Sequence, residues 1–223
     1  MKACTFLPLA SFVLLSPGAV LAQDPVKVAP ERYKLVLENS GVRVLAVNYP
    51  AGAKAAMHSH PDAIFIPLNA SKVRFTMPDG TSEQVDMTED SALNTPAGTH
   101  SPANVGTGPV EGVLIEFKTP APGKATVPTS REAMNIKVLA EGPRAIAYRT
   151  TADPSFVEPA GTTHEYDQVV IALHPSEISL SVAGKPAKTK WARGDVAFIG
   201  RGVAHESKNT SGKPVEFIIV AIK

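Results

Sequence analysis

The sequence predicts an all-β fold, a sandwich or barrel built twice over, and three observations carry that expectation. Short apolar or alternating runs recur with turn signals at roughly 8–12-residue spacing, the pattern of antiparallel sandwiches and barrels. The second half of the chain repeats the first at a nearly constant offset. The stretch Met57-His58-Ser59-His60-Pro61-Asp62 is answered by Pro96-Ala97-Gly98-Thr99-His100. Residues two apart on a strand face the same way, so His58 and His60 aim at one spot that His100 can reach from a neighbouring strand.

In chain order, residues 23–32 are polar with two prolines and read as an arm. Val42-Arg43-Val44-Leu45-Ala46-Val47 reads as a strand, and Pro50-Ala51-Gly52 turns into the histidine pair. Ile64-Phe65-Ile66-Pro67-Leu68 is a short apolar strand whose proline marks a bulge or edge. Val73-Arg74-Phe75-Thr76-Met77 alternates and is closed by Pro78-Asp79-Gly80, and Val113-Leu114-Ile115-Glu116-Phe117 ends the first set, with Glu111 and Glu116 expected on its outside. Residues 119–129 hold three prolines and a glycine and read as a linker, and residues 131–139 as one short helix. The strand pattern then returns at Val169-Val170-Ile171-Ala172-Leu173, Ile178-Ser179-Leu180-Ser181-Val182, Gly194-Asp195-Val196-Ala197-Phe198 and residues 217–222.

The repeat is read from spacing. Pro109-Val110-Glu111 recurs as Pro214-Val215-Glu216, Asn104 as Asn209 and His100 as His205, all 105 residues apart. His60 and His164, Gly80 and Gly184, and Gly98 and Gly202 are 104 apart, so one residue is inserted between Gly202 and His205.

The N-terminus has the pattern of a secretory signal: Met1-Lys2, an apolar stretch, then Val20-Leu21-Ala22 before an expected mature start at Gln23. The apolar stretch is too short for a membrane span, and export to the periplasm or beyond is the expectation. The single cysteine, Cys4, lies in this leader, so the mature chain has no disulfide and no thiol nucleophile. One of the 22 Lys and Arg, Lys2, leaves with the leader, and the rest balance the 21 Asp and Glu. Nothing in that charge balance recommends a nucleic acid or membrane partner.

These spacings resemble the cupin superfamily. Its first motif runs from a glycine to a His-x-His and then a glutamate. Gly52, His58 and His60 match it, while Ile64 or Phe65 stands in the glutamate place. Its second motif is matched by Pro96, Gly98, His100 and Asn104, with Asp90 in the glycine place and one residue missing before His100. In the second half Gly194, Gly202, His205 and Asn209 fit, with Gly200 for the proline. Of the first motif only His164 remains there, with Thr162 and Gln168 in the other histidine and glutamate places. The resemblance covers about residues 40–222 and implies two tandem cupin domains, conical jelly-roll β-barrels: signal 1–22, N-terminal domain 23–118, linker 119–133 and a C-terminal domain with a degenerate motif at 134–223.

The expected main metal site is His58, His60 and His100, with Asp62 as a fourth ligand or an acceptor for an imidazole N–H. His164, Gln168 and His205 form a weaker second site, in a repeat kept for its structural part. Five of the six histidines hold motif places, and His174 is expected in solvent. Gly98 and Gly202 are expected at positive φ, and Asn104 and Asn209 to tie loops. Three neutral imidazoles leave a divalent iron, manganese, nickel or zinc ion its full charge and open positions. That suits an anionic, chelating small substrate and a metal-dependent dioxygenase, in which the metal does most of the activation because no motif side chain is a clear general base. A non-catalytic metal- or ligand-binding protein is the alternative, and an isomerase lacks an acid–base pair here. A homodimer is left open as a further partner.

Overall fold

The computed structural model describes residues 23–118, 124–128 and 131–223. The leader and most of the proline-rich linker lie outside the described residues. A single helical turn, α1 (Pro25–Val28), is capped by Asp24, whose carboxylate accepts from the Val26 amide at 2.8 Å. Nine strands follow in the first half: β1 (Tyr33–Glu38), β2 (Val42–Tyr49), β3 (His58–His60), β4 (Ala63–Pro67), β5 (Ser71–Thr76), β6 (Ser82–Met87), β7 (Leu93–Thr95), β8 (Gly98–Asn104) and β9 (Val110–Phe117). Nine more follow in the second: β10 (Met134–Glu141), β11 (Ala145–Ala152), β12 (Val157–Thr162), β13 (Asp167–Ala172), β14 (Ser176–Val182), β15 (Lys185–Trp191), β16 (Val196–Ile199), β17 (His205–Asn209) and β18 (Val215–Ile222). Among the described residues no helix is long and apolar enough to cross a membrane.

Each half is a five-stranded sheet facing a four-stranded one. The orders are β1-β2-β9-β4-β7 with β3-β8-β5-β6, and β10-β11-β18-β13-β16 with β12-β17-β14-β15. The second pair of orders is the first with every strand advanced by nine places, so the repeat seen in spacing is a repeat of topology. Registers agree as well. Val47 pairs with Gly112 on β2 and β9, as Thr150 pairs with Phe217 on β11 and β18.

The five-stranded sheets are apolar on both faces, and each face has its own destination. Val42, Val44, Ile64, Ile66, Val113 and Ile115 join Ala147, Val169, Ile171, Ile218 and Val220 in one core shared by the two halves. The intervening residues Leu45, Val47, Phe65 and Leu114 turn into the first barrel. Arg193 closes the rim of the junction. Its guanidinium donates to the carbonyls of Leu68 and Leu173 and to Glu89 Oε1 at 2.7 Å and Asp90 Oδ1 at 3.1 Å.

Three expectations are corrected. Residues 134–141 form β10 and not a helix: Met134 and Ile136 alternate with exposed Asn135 and Lys137, and the segment pairs along β11. Ladder formation with a neighbour overrides local propensity. Glu116 is not on the outside; it is 1% exposed and accepts from Arg43 Nε at 2.5 Å, and Arg43 also binds Asp24. Its place on β9 shares the parity of Leu114, which faces inward. Gly202 takes φ of 67°, but Gly98 lies outside the positive-φ set and opens β8 as ordinary strand. Asn104 and Asn209 do tie loops, each donating to two or three carbonyls around its turn.

The registers also show why the two interiors differ. Trp191 stands where the first half has Met87, since both lie opposite the first residue of a paired strand, Ser176 and Ser71. Phe217 stands where the first half has Gly112. Phe156 and Ala53 likewise correspond, each carbonyl accepting from the matched Asn209 or Asn104 amide. Trp191 and Phe217 meet edge to face at 5.1 Å and, with Phe156, fill the second barrel. The first barrel lacks these three rings and has a cavity of about 470 Å³, against about 60 Å³ in the second.

Gly112 is where this packing tolerates least. A Cβ there would lie 2.3 Å from Phe65 Cζ and 2.7 Å from the Ile66 carbonyl oxygen. Gly112→Ala is therefore expected to cost about 1–3 kcal/mol by overpacking. Gly108→Ala, which meets nothing within 4 Å, should stay within about 0.5 kcal/mol. Urea denaturation of both variants checks this, and equal midpoints would contradict the packing argument.

Candidate metal centre and ligand chamber

The histidine pair and its answer meet as β3 and β8 zip together: His58 lies directly opposite His100, and His60 opposite Gly98. Ring centroids are 5.2 Å apart for His58 and His100 and 4.9 Å for His60 and His100. All three line the wall of the 470 Å³ cavity.

Their hydrogen bonds fix much of the protonation pattern. Tyr49 donates its hydroxyl proton to Tyr33 at 2.9 Å, and Tyr33 in turn donates to His58 Nε2 at 3.2 Å. His58 Nδ1–H then donates to the Ala56 carbonyl at 2.9 Å. His60 Nδ1–H donates to the Pro61 carbonyl at 2.8 Å, which leaves its Nε2 as the lone-pair nitrogen. Burial, then the charges His60 and His58 would carry, push His100 down to about 3. Burial lowers His58 too. Burial also raises Tyr33 to about 12, so its proton stays available to His58. Neutral imidazoles are the form that ligates a metal.

Asp62 takes another role. Its carboxylate accepts from the Ala97 amide at 2.8 Å and lies 3.6 Å from Arg144 of the second half. It thus fastens the Pro96-Ala97-Gly98 turn that delivers His100. His174 is exposed, 3.4 Å from Glu216.

The second barrel holds a tighter cluster, built on a residue that motif reading passes over. Glu158 on β12, His164 and His205 have ligand atoms all within 4.8 Å of one another, and among the described residues no other trio of histidine, cysteine or acidic side chains does. Glu158 Oε2 lies 3.2 Å from His205 Nε2 and accepts from Ser207 Oγ at 3.1 Å, while Oε1 lies 3.6 Å from His164 Nε2 and accepts from Arg131. Gln168 lines the same small cavity, its amide nitrogen buried without a partner. The carboxylate was passed over because it precedes the histidines in sequence, whereas the motif places it after them. The available signal was the outward-reading run of β12, where Glu158 falls opposite Ser207 beside His205.

The two sites differ in fit: the ligand atoms of Glu158, His164 and His205 lie within 4.8 Å of one another, whereas His58, His60 and His100 line one cavity without closing to that spacing. In the second barrel His205 Nε2 is buried with no aligned hydrogen bond, as an unfilled ligand atom would be. There, however, the Arg131 guanidinium already supplies a cation to Glu158. In the first barrel no cation competes, but His58 Nε2 is held by Tyr33.

No family model matches the chain, and no curated protein matches it. Solved structures do. A cupin 2 conserved barrel domain protein from Leptotrichia buccalis is 12% identical with a TM-score of 0.56, covering 86% of this chain and 88% of that one. Salicylate 1,2-dioxygenase from Pseudoaminobacter salicylatoxidans, solved with gentisate, is 11% identical with a TM-score of 0.60, covering 82% and 68%. The oxalate decarboxylase of Bacillus subtilis, described with Mn(II) centres, is 15% identical with a TM-score of 0.57, covering 86% and 75%. At these identities the likeness shows the fold: two cupin barrels in tandem.

The Glu158 cluster makes a pH signature. Burial raises the Glu158 pKa, but His164, His205 and Arg131 outweigh it and hold the carboxyl well below its ordinary 4.5. Its contribution is present above that value and drains away as pH falls toward the lowered one. Burial lowers His205, but Glu158 outweighs it and the net shift is upward from 6.5. That contribution is present below 6.5 and lost as pH rises through the raised value. In chelator-treated protein Glu158→Gln is thus expected to cost most between pH 4.5 and 6.5, about 3 kcal/mol. Urea midpoints at low and high pH check it; a cost that does not shrink on the alkaline side would rule out a charged His205.

Proposed function

We propose that the protein binds a divalent transition metal through His58, His60 and His100 and acts beside it on a small molecule, as a metal-dependent oxygenase. The observation that carries the reading is the meeting of three imidazoles, with His58 and His100 held neutral by burial, on the wall of a cavity of about 470 Å³, within the range of small-molecule sites. The fold likeness to a salicylate dioxygenase and to an oxalate decarboxylase with Mn(II) centres supports it. When bound, the ion supplies redox or Lewis-acid activation of the substrate. The chain's own residues do the rest. Pro61 and Ala56 carbonyls orient His60 and His58, Asp62 fixes the turn before His100, and apolar walls exclude bulk water.

A second reading puts the metal on Glu158, His164 and His205, favoured by their mutual 4.8 Å spacing. Elemental analysis and metal titration of untagged protein separate the two. His60→Ala is expected to empty the site and Glu158→Gln to leave metal content near wild type. Tyr33→Phe, which frees His58 Nε2, should tighten binding by up to about tenfold, the worth of one hydrogen bond. Loss of metal in Glu158→Gln alone moves the centre to the second barrel, and a wild type that takes up no iron, manganese, nickel or zinc defeats both readings. A redox-active ion that consumes dioxygen with substrate marks an enzyme; inert zinc marks a binding protein.

We also propose that the chain is exported and cleaved after Ala22, on the pattern of residues 1–22. Intact mass of protein from the exported fraction should begin at Gln23; a mass that retains Met1 contradicts it.

A further inference from the structure

The first-barrel cavity has a lining that selects by charge. Its apolar walls are Phe65, Val73, Phe75, Met87, Leu93 and Leu114, and its neutral polar groups include the histidines, Tyr33, Asn94, Thr95 and Thr99. Among the described residues lining it there is no Lys and no Arg, and the single acidic one is Glu83, exposed on β6. A carboxylate entering such a chamber would be stripped of water with no cationic side chain in the lining to receive it and with one negative charge among the lining groups. The second barrel is arranged the other way: Arg131 lines its cavity, but the aromatic rings leave only about 60 Å³. The half with room carries no cation, and the half with a cation carries no room.

From this we infer that the first-barrel chamber takes neutral, predominantly apolar molecules bearing a hydroxyl or carbonyl group, and discriminates against carboxylates of the same shape. The inference rests on the reading of that chamber as the ligand site. It concerns what the protein lining itself selects, apart from the charge that a bound ion would add. The imidazoles, Tyr33 and the neutral side chains of Asn94 and Thr99 offer partners to the polar end of such a molecule, and its apolar body would lie against Phe65, Phe75 and Leu114.

The matched pair 2-naphthol and 2-naphthoate tests it, neutral and anionic at neutral pH on one carbon skeleton. Methionine methyl resonances localise the binding, since Met77 and Met87 line this cavity and Met134 lines the other. The full chain is titrated both after chelator treatment and after loading with Mn(II). The expected result is that 2-naphthol shifts Met77 and Met87, leaves Met134 unmoved, and after chelator treatment binds at least about tenfold more tightly than 2-naphthoate, a ratio that Mn(II) loading should narrow by supplying the missing cation. Met77→Arg, which adds a flexible cation at the end of β5, should narrow or reverse that ratio. Binding of 2-naphthoate as tight as 2-naphthol at Met77 and Met87 in the chelator-treated chain overturns the inference, as does the absence of any shift there with either compound. Metal content is read separately, so a chain that takes up no metal yet keeps the naphthol preference defeats the metal reading and leaves this one standing.

Discussion

The face-to-face packing of the two five-stranded sheets is the contact on which the rest of the molecule depends. Val42, Val44, Ile64, Ile66, Val113 and Ile115 from one half close on Val169, Ile171, Ile218 and Val220 from the other with almost no solvent exposure. Each such side chain contributes about 1.5–3 kcal/mol when fully buried, so neither sheet would keep this face in water. The consequence reaches the site. β2, β4 and β9 are held from behind, so their inward residues Val47, Phe65 and Leu114 form a fixed wall for the cavity. A hollow barrel standing alone would lack that backing and would tend to collapse into its own space.

Two halves with one topology have used the same interior differently. The loop-tying asparagines keep the same bonds, Asn104 to Tyr49 and Gly108 and Asn209 to Ala152 and Lys213. The volume is set elsewhere, by Met87 against Trp191, Ala53 against Phe156 and Gly112 against Phe217. The rings of the second barrel show that this fold can be filled. The openness of the first is therefore a property of three residue choices, and one of them, Gly112, is enforced by Phe65 lying across it.

Much of this was legible in the sequence, because repeats and turn glycines are local signals. The shared offsets of His100, Asn104 and Pro109 gave the doubled topology, and His-x-His parity put His58 and His60 on one face. What was not legible is what depends on partners distant in sequence. Residues 131–139 read as a helix because the ladder partner of β10, β11, is invisible to a local pattern. Glu116 read as outward because an inward carboxylate looks improbable until Arg43, 73 residues earlier, is seen to meet it. Glu158 was missed because a motif fixes order along the chain, while a site needs only proximity in space. The chamber itself could not be read at all, since a cavity is the absence of side chains, and no sequence pattern marks an absence.

The two histidine clusters then differ in what completes them. Around Glu158 the chain supplies both charges: Arg131 and the histidines answer the carboxylate, and the shifts in Glu158 and His205 are those of groups stabilised as an ion pair. Removing any one member would leave a buried charge exposed to low dielectric, a stability penalty that needs no ligand to explain its retention. Around His100 the chain supplies no charge. Burial keeps His58 and His100 neutral, Tyr33 satisfies one nitrogen of His58, and among the described residues no hydrogen bond is made to the His100 ring. Three imidazoles gathered beside an open apolar chamber, two of them held neutral by burial, have no such structural account. Packing alone would be better served by the aromatic rings that fill the other barrel. The asymmetry of the two clusters is thus the physical reason to look for function in the first half and for stability in the second.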